Sequence, residues 1–392
     1  MRKKVPPKVD EAIETLNMKD GPTRRRLLEG TGLVSASAAA AALITACGSS
    51  STGAKAAAST VGNFPKTPKW QFWFVNHVYT NPFFVPTQYG FQDAAALLDL
   101  PTPKWGGSAS TSSVSQMVSY LNTAVSAKAA GIATTVISAT GFTTPVMNAM
   151  NAGIPVVSYN ADGAVSPSGV ATIGTNRLAY IGQALFTSGQ QLGYKILSEV
   201  TSGEIVIFIA TPGTGNIQPR SSGAQAVIKA SGKPIKVTQI ATGAATSAEL
   251  PAEKAFLLGH KDIKGAYAVD AGSTQFLGQA LTAAGLAGKI PAGGFDLTPT
   301  TLNAIKSGLI DFTIDQSPYQ QGFLPVLSLW LFRLSGGLVH PSDTDTGLTF
   351  VTKSTVGPYL ATPSRFEGST TAQKLIPLPS GPIKAPIATT ST

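Results

Sequence analysis

The sequence predicts an α/β protein made of two doubly wound, parallel-sheet domains. Three observations carry this. Short apolar runs without polar alternation recur along the chain, the signature of strands buried on both faces. Segments of helical spacing separate them, which is the rhythm of strand–helix–strand units rather than of a sandwich. The rhythm breaks near Gly174 and restarts, and a chain of 392 residues has room for two domains.

Taken in order, the chain opens on a leader. The basic group Thr23-Arg24-Arg25-Arg26-Leu27-Leu28 precedes an apolar, Ala-rich run from Leu33 to Ile44, and small residues lead to Cys47, the only cysteine. A charged segment, an apolar run and small residues before a cleavage point form an export signal. The arginine pair resembles a twin-arginine signal, read by a receptor that exports folded proteins. The ending at Cys47 resembles a lipobox, at which that cysteine is lipidated and becomes the new N-terminus. An apolar run of about 12 residues is too short to span a bilayer. Residues 1–46 are thus expected to be removed, and 47–67, rich in Ser, Thr, Gly and Ala, to form a flexible tether.

The first domain then reads as a strand over Trp70–Val75, a helix over Phe83–Leu98, a helix over Ser112–Ala129, a strand over Ile132–Ile137, a helix over Thr143–Asn151 and a strand over Ile154–Tyr159. After the break come a helix over Arg177–Leu197, a strand over Glu204–Ile209, and helix and strand in turn over Gln218–Ala230, Ile235–Ile240, Ala248–Leu258 and Lys264–Val269. The Pro-, Thr- and Ser-rich end from Glu367 to Thr392 reads as a tail outside both cores.

Composition excludes several functions. Hydrophobic residues are 43% of the chain and charged residues 12%, so it can bury two cores and is not a disordered polyelectrolyte. The net charge is +9, but from Cys47 onward 21 Lys+Arg stand against 15 Asp+Glu, and these cations are scattered singly. Nothing tracks a phosphate backbone, so nucleic acid is not expected as a partner. One cysteine allows no internal disulfide.

The catalytic inventory is thin. Histidines occur only at 77, 260 and 340, without metal-ligand spacing, and no nucleophile elbow or Cys-His pairing is present. The turn Thr211-Pro212-Gly213-Thr214-Gly215-Asn216 has Gln at position 218 where a dinucleotide fingerprint has its third glycine, and it lacks the Lys-Ser/Thr of a P-loop. It reads as a strand-to-helix turn. No cofactor, metal or catalytic residue is expected. Polar residues do follow the apolar strands: Asn160 and Asp162, then Asp270, Asp296, and Asp315-Gln316. In an open parallel sheet the carboxyl ends of strands border the ligand crevice. Carboxylates and amides converging there suit a ligand rich in hydroxyls, although each residue alone also suits a turn or a helix cap.

A family resemblance rests on five ordered segments. Asn81-Pro82-Phe83-Phe84 with Tyr89-Gly90 resembles the start of the type I periplasmic sugar-binding proteins. Gly153-Ile154-Pro155-Val156-Val157 leading to Asn160, Arg220-Ser221-Ser222-Gly223, Gly294-Phe295-Asp296 and Ile314-Asp315-Gln316 resemble its later motifs in the expected order. The resemblance spans about Lys69 to Val351. It implies a monosaccharide or polyol held between two domains, with Phe83 and Phe84 stacked on the ring and Asn160, Arg220, Asp270, Asp296 and Gln316 bonded to hydroxyls. Trp105 and Tyr159 are further aromatic candidates. Where ribose binders place Arg after the strand-end acid, this chain has Ala161 after Asn160, which argues against ribose itself. The resemblance also implies three crossings between domains, near Gly174, Gln316 and Phe350. That gives a first domain of 68–174 plus 317–347, a second of 175–316 plus 348–366, and a tail of 367–392. The expected protein is a monomeric solute-binding lipoprotein of an ABC importer, partnered by a permease, its ATPase and, through Cys47, the membrane. A sensor subunit passing the ligand signal to a kinase or chemoreceptor has the same sequence features. A hydrolase or dehydrogenase ranks below both, since no acid/base pair or cofactor fingerprint is present.

Overall fold

In the computed structural model, residues 66–163, 174–361, 364–372 and 375–376 are described. The leader with its arginines, Cys47, most of the expected tether and most of the expected tail lie outside them. Among the described residues no helix is long and apolar enough to cross a membrane.

Two six-stranded sheets form the frame. The first domain contains β1 (Phe72–Asn76), α1 (Val85–Leu97), β2 (Lys104–Gly107), α2 (Val114–Ser126), β3 (Gly131–Val136), α3 (Thr143–Asn151), β4 (Val156–Asp162) and β5 (Tyr180–Gly182). The second contains α4 (Leu185–Glu199), β6 (Gly203–Ile209), α5 (Gln218–Ala230), β7 (Ile235–Ala241), α6 (Thr246–Gly259), β8 (Gly265–Ala268), α7 (Ala271–Ala284), β9 (Ala292–Phe295), α8 (Pro299–Ser307) and β10 (Phe312–Asp315). The chain then returns through α9 (Gln320–Leu334) and β11 (Thr344–Asp345), and closes with β12 (Thr349–Thr352) and α10 (Gly357–Ala361). Strand order is β11-β5-β4-β3-β1-β2 in one sheet and β12-β10-β9-β8-β6-β7 in the other. Every pairing is parallel except that of β10 with β12. In each sheet the order reverses beside its first strand, between β1 and β3 and between β6 and β8. Such switch points open a crevice at the carboxyl ends of the strands.

The burial pattern explains the apolar runs. All six residues of β3 are buried, as are Ile205 to Ile209 of β6, because helices cover both faces of each sheet. Glycines let some of those helices approach closely. At Gly90 of α1 and Gly322 of α9 an added Cβ would meet the partner helix's backbone, so a side chain at either site would push the two apart.

Several expectations need correction. The segment read as one helix from Arg177 begins with β5, which pairs with β4 through Ser158 and Tyr180. The first crossing therefore follows Gly182 rather than lying near Gly174, and Tyr180 to Gly182 belong to the first domain. β4 runs beyond Tyr159 to Asp162, because residues 159–161 bulge opposite Thr135, between the pairs Thr134–Ser158 and Val136–Asp162. β2 was not foreseen. The other two crossings follow Asp315 and Asp345. The chain end also departs from the expected division. Arg365 pairs with Asp93 of α1 at 2.8 Å and lies over the Tyr89 ring, while Phe366 packs edge-on against Tyr319. Residues 364–366 thus return to the first domain after α10, and Glu367, read as the start of a free tail, accepts a hydrogen bond from the Ser364 backbone N–H at 2.8 Å.

Candidate functional site

The carboxyl ends of both sheets face one cleft. His77, Asn81, Phe83, Phe84, Ser112 and Asn160 line it from the first domain; Thr211, Asn216, Arg220, Glu249, Asp270 and Asp296 line it from the second, with Gln316 at the crossing. Two hydrogen bonds join the domains directly across it, from Asn216 Nδ2 to His77 Nε2 at 3.1 Å and from the Gly215 N–H to the Ile137 carbonyl at 3.1 Å. The structure is thus the closed arrangement of the cleft.

The first-domain wall is aromatic. Asn81 caps the turn that follows β1, its Oδ1 accepting from the Phe83 N–H at 2.9 Å, and Pro82 fixes the entry. This holds Phe83 half-buried and Phe84 at 2% exposure, their rings edge-on with centroids 4.7 Å apart. Phe84 also meets His77 edge-on at 5.3 Å. His77 is buried, bonded through Nδ1 to Thr135 Oγ1 at 3.1 Å, and burial pushes its pKa down to about 4, so the ring is neutral at pH 7. Asn160 sits in the β4 bulge at φ 60°, a left-handed conformation that Asn tolerates.

Two aromatic candidates fall outside the site. Trp105 packs behind Phe84 at 6.0 Å and beside Phe91 at 5.6 Å, and its Nε1 donates to the Tyr79 carbonyl at 3.1 Å. It supports the ring that faces the cleft and does not line the cleft itself. Tyr159 is fully buried, its hydroxyl accepting from Asn76 Nδ2 at 2.9 Å. Asp162 is also taken up structurally, since Arg177 bonds both its oxygens and links it to Asp343.

The second-domain wall is charged. Arg220, in the first turn of α5, is 2% exposed. Its Nη1 donates to the Val269 carbonyl and its Nη2 to Gln183 Oε1, both at 3.0 Å, and its guanidinium lies 4.3 Å over the Phe295 ring. Asp296 follows β9 at φ 79° and accepts from Gln316 Nε2 at 2.6 Å. Burial pushes its pKa up to about 6 against the pull of Arg220 and that hydrogen bond, so it is mainly ionised at pH 7. It does not cap α8, whose cap is Thr298. Asp270 does cap a helix. Its Oδ1 accepts from the Ser273 N–H at 2.9 Å, and its Oδ2 accepts from the Ala210 N–H at 2.8 Å and from Ser273 Oγ at 3.1 Å.

The structure brings together Phe83, Phe84, Asn160, Arg220, Asp270, Asp296 and Gln316, and leaves Trp105 behind the wall. Sequence reasoning missed His77, Asn216, Glu249 and the amides beneath the cleft. There Asn160 Nδ2 donates to Gln321 Oε1 at 3.0 Å, Gln321 Nε2 donates to Gln316 Oε1 at 3.1 Å, and Gln316 Nε2 donates to Asp296. The relay runs from one wall to the other through the crossing segment. Gln321, one turn beyond Gln316 at the start of α9, offered no signal beyond its position. The amides of the Thr211–Asn216 turn are partly used by the protein, since the Gly213 N–H donates to Gln218 Oε1 at 2.9 Å. Among the described residues no group of His, Cys, Asp and Glu could hold a metal ion.

Comparison with known proteins identifies the family of this fold. Residues 72–332 match the family model described as a periplasmic binding protein domain. The xylose/arabinose-binding protein XylF of Sulfolobus acidocaldarius is 48% identical over 320 residues, covering 80% of this chain and 78% of that protein. An ABC transporter solute-binding protein of Burkholderia graminis, solved in complex with D-arabinose, is 25% identical with a TM-score of 0.64, covering 73% of this chain and 96% of that one. An ABC transporter solute-binding protein of Agrobacterium vitis with bound D-fucose superposes with a TM-score of 0.66 over the same shares at 24% identity, a likeness of fold. These relatives are substrate-binding proteins rather than enzymes. The chain belongs to the type I periplasmic sugar-binding protein family.

Proposed function

We propose that this protein captures a monosaccharide in the cleft between its two domains and delivers it to an ABC permease and its ATPase, with aldopentoses such as xylose and arabinose the first candidates. The observation that carries the reading is the facing of two unlike walls. Phe83 and Phe84 present aromatic surface, suited to the C–H face of a sugar ring, while Arg220 and Asp296 stand opposite with charged hydrogen-bonding groups. The 48% identity to a protein called xylose/arabinose-binding supports the choice of sugar. Asn160 and Gln316 complete the hydroxyl partners, and the amide relay between them links ligand capture to the crossing segments about which the domains close.

The direct test is a panel of pentoses, hexoses, deoxy sugars and polyols in thermal-shift and calorimetric titrations. A ligand at about 100 times its Kd raises stability by about 2.7 kcal/mol. A panel in which no sugar or polyol shifts the melting temperature overturns the reading.

The same proposal places the protein outside the cell, anchored by a lipid on Cys47 after export through the arginine pair. Cys47→Ser is expected to release the protein from membranes with sugar binding intact. Arg24→Lys with Arg25→Lys is expected to lower export. Retention of the Cys47→Ser variant on membranes counts against the lipid anchor.

A further inference from the structure

Two buried glutamates stand on the inner side of α6. Glu249 is 2% exposed and Glu253, one turn on, is fully buried. Ionisable side chains are almost never buried unless paired, yet among the described residues neither of these has a cationic neighbour within ion-pair distance; what faces them is Asp270, at the start of α7. Only Glu249 reaches the cleft, where it lies beside Ala244 and Gly272. Gly272 makes the room, because a Cβ there would fall against the Glu249 carboxyl.

The two acidic groups on this side of the cleft differ in what remains available to a ligand. A carboxylate has about four lone-pair sites, and Asp270 has three protein donors on its two oxygens. Glu249 Oε2 is buried with no hydrogen-bond partner. A buried polar oxygen left unmatched in the wall of a binding cleft calls for a group from the ligand. Burial and the neighbouring Asp270 push the Glu249 pKa up to about 9 against a hydrogen bond from the Ser273 side chain, so at pH 7 the carboxyl keeps its proton and can both donate and accept.

We propose that Glu249 is a ligand-contacting, specificity-determining residue, which hydrogen-bonds a sugar hydroxyl from the α6 side of the second domain, where Asp270 serves chiefly as the cap of α7. The inference rests on the sugar-binding reading above. A site that hydrogen-bonds a hydroxyl rejects the analogue lacking it far more strongly than an apolar pocket rejects a missing methylene. Glu249 thereby sets which deoxy sugars are refused.

The test uses the mature protein, the tightest-binding sugar of the panel and its monodeoxy analogues, with Glu249→Gln and Glu249→Met as variants. Gln keeps a donor and an acceptor at the same reach. Met keeps the volume without hydrogen-bonding groups, so neither variant leaves a cavity. Glu249→Met is expected to weaken binding of the parent sugar at least tenfold, while Glu249→Gln stays within about threefold. One deoxy analogue, penalised in the wild type, is expected to bind Glu249→Met no worse than the parent sugar does. Unchanged affinity of Glu249→Met, or a deoxy penalty equal in wild type and variant for every analogue, overturns the role of Glu249 while leaving the cleft a sugar site. Should Glu249→Met not fold, Glu249→Gln with the deoxy series decides the question: the same analogue must show an altered penalty, and an unaltered series overturns the role. A wild type that binds no sugar overturns the sugar-binding reading and this inference with it.

Discussion

The two walls of the cleft are built on the same strand order and yet carry opposite chemistry. Around the first sheet the lining is neutral: two phenylalanines, an uncharged buried histidine and the amides of Asn81 and Asn160. Around the second it is ionic: Arg220 stands among Asp270 and Asp296, with Glu249 beside them. A polar ring compound has apolar faces and a hydroxylated rim, and in the proposed function one domain holds the faces while the other reads the rim. That division also separates shape from identity. On the proposed reading the aromatic wall accepts any ring of suitable size, and selection among sugars falls to the charged wall.

The largest effect is expected from breaking the charged wall at Arg220, its only cation among the described residues. Arg220→Met removes the group that offsets Asp296 and Asp270 and leaves the Val269 carbonyl and Gln183 Oε1 without their donor. Leaving a buried acceptor unsatisfied costs about 1–3 kcal/mol of stability. Sugar affinity is expected to fall more than a hundredfold, a loss above about 2.7 kcal/mol. Arg220→Lys keeps the charge but not the planar fork over Phe295, and it is expected to fall between wild type and Met. Calorimetric titration and chemical denaturation of both variants check this. Near-normal binding by Arg220→Met would place reading of the rim elsewhere.

Next is Asp296→Ala. The carboxylate accepts from Gln316 and has lone pairs left for hydroxyls, and bonds to a charged group are worth about 1.5–3 kcal/mol. Affinity is expected to fall at least tenfold, and by less in Asp296→Asn, which keeps one acceptor. Because Thr298 caps α8, the Ala variant should keep that helix. A drop in melting temperature without loss of affinity would make Asp296 a structural residue of the hinge.

How far this contrast was legible in the sequence follows from how each residue is held. Asp296, Asp270 and Gln316 each stand at or just beyond the end of a short strand, so position alone placed them at the carboxyl edge. Glu249 did not announce itself, since a glutamate in the first turn of a helix is by default a solvated residue that complements the helix dipole. Its burial comes from α7 packing over it, a tertiary fact. Trp105 misled because β2, Lys104-Trp105-Gly106-Gly107, has one large apolar residue and two glycines and gives no strand signal. Without the strand, the tryptophan read as a free aromatic near the site. Tyr180 to Gly182 were lost in the neighbouring helix for the same reason, a strand of three residues being shorter than any periodicity can reveal.

The aromatic wall gives a smaller and cleaner effect at Phe83 than at Phe84. Phe84 is almost wholly buried against His77 and Trp105, so truncating it removes core packing as well as cleft surface. Phe83 is half-buried, and Phe83→Ala is expected to cost about 1–3 kcal/mol of binding with little change in the melting temperature. The loss is expected to be similar for every sugar of the panel. A loss confined to one sugar would give the aromatic wall a part in selection and blur the contrast between the domains.

Per unit step the smallest effect, at most about 1.4 kcal/mol per pH unit for each group, lies in the pH dependence of stability, and it sets the two walls against each other. Glu249 is raised from 4.5 to about 9, and Glu253 is raised as well, by burial and the nearby Asp270. Between those values the folded chain holds protons that the unfolded chain has released, so stability falls as pH rises. Asp296, raised from 3.8 to about 6, acts in the same direction at lower pH. His77 acts in the opposite one. Its pKa is lowered from 6.5 to about 4, so below 6.5 the unfolded chain takes up a proton that the folded chain refuses, and stability falls as pH falls. The opposed slopes overlap below pH 6.5, which leaves pH 7 to 9 as the window in which the glutamates of the second domain act without His77. Melting temperature is expected to decline across that window in the wild type and to decline less steeply in Glu249→Gln, which has no proton to lose there. Parallel melting curves for the two proteins from pH 7 to 9 would mean that the Glu249 carboxyl is already ionised, and that the charged wall carries one more anion than its burial allows.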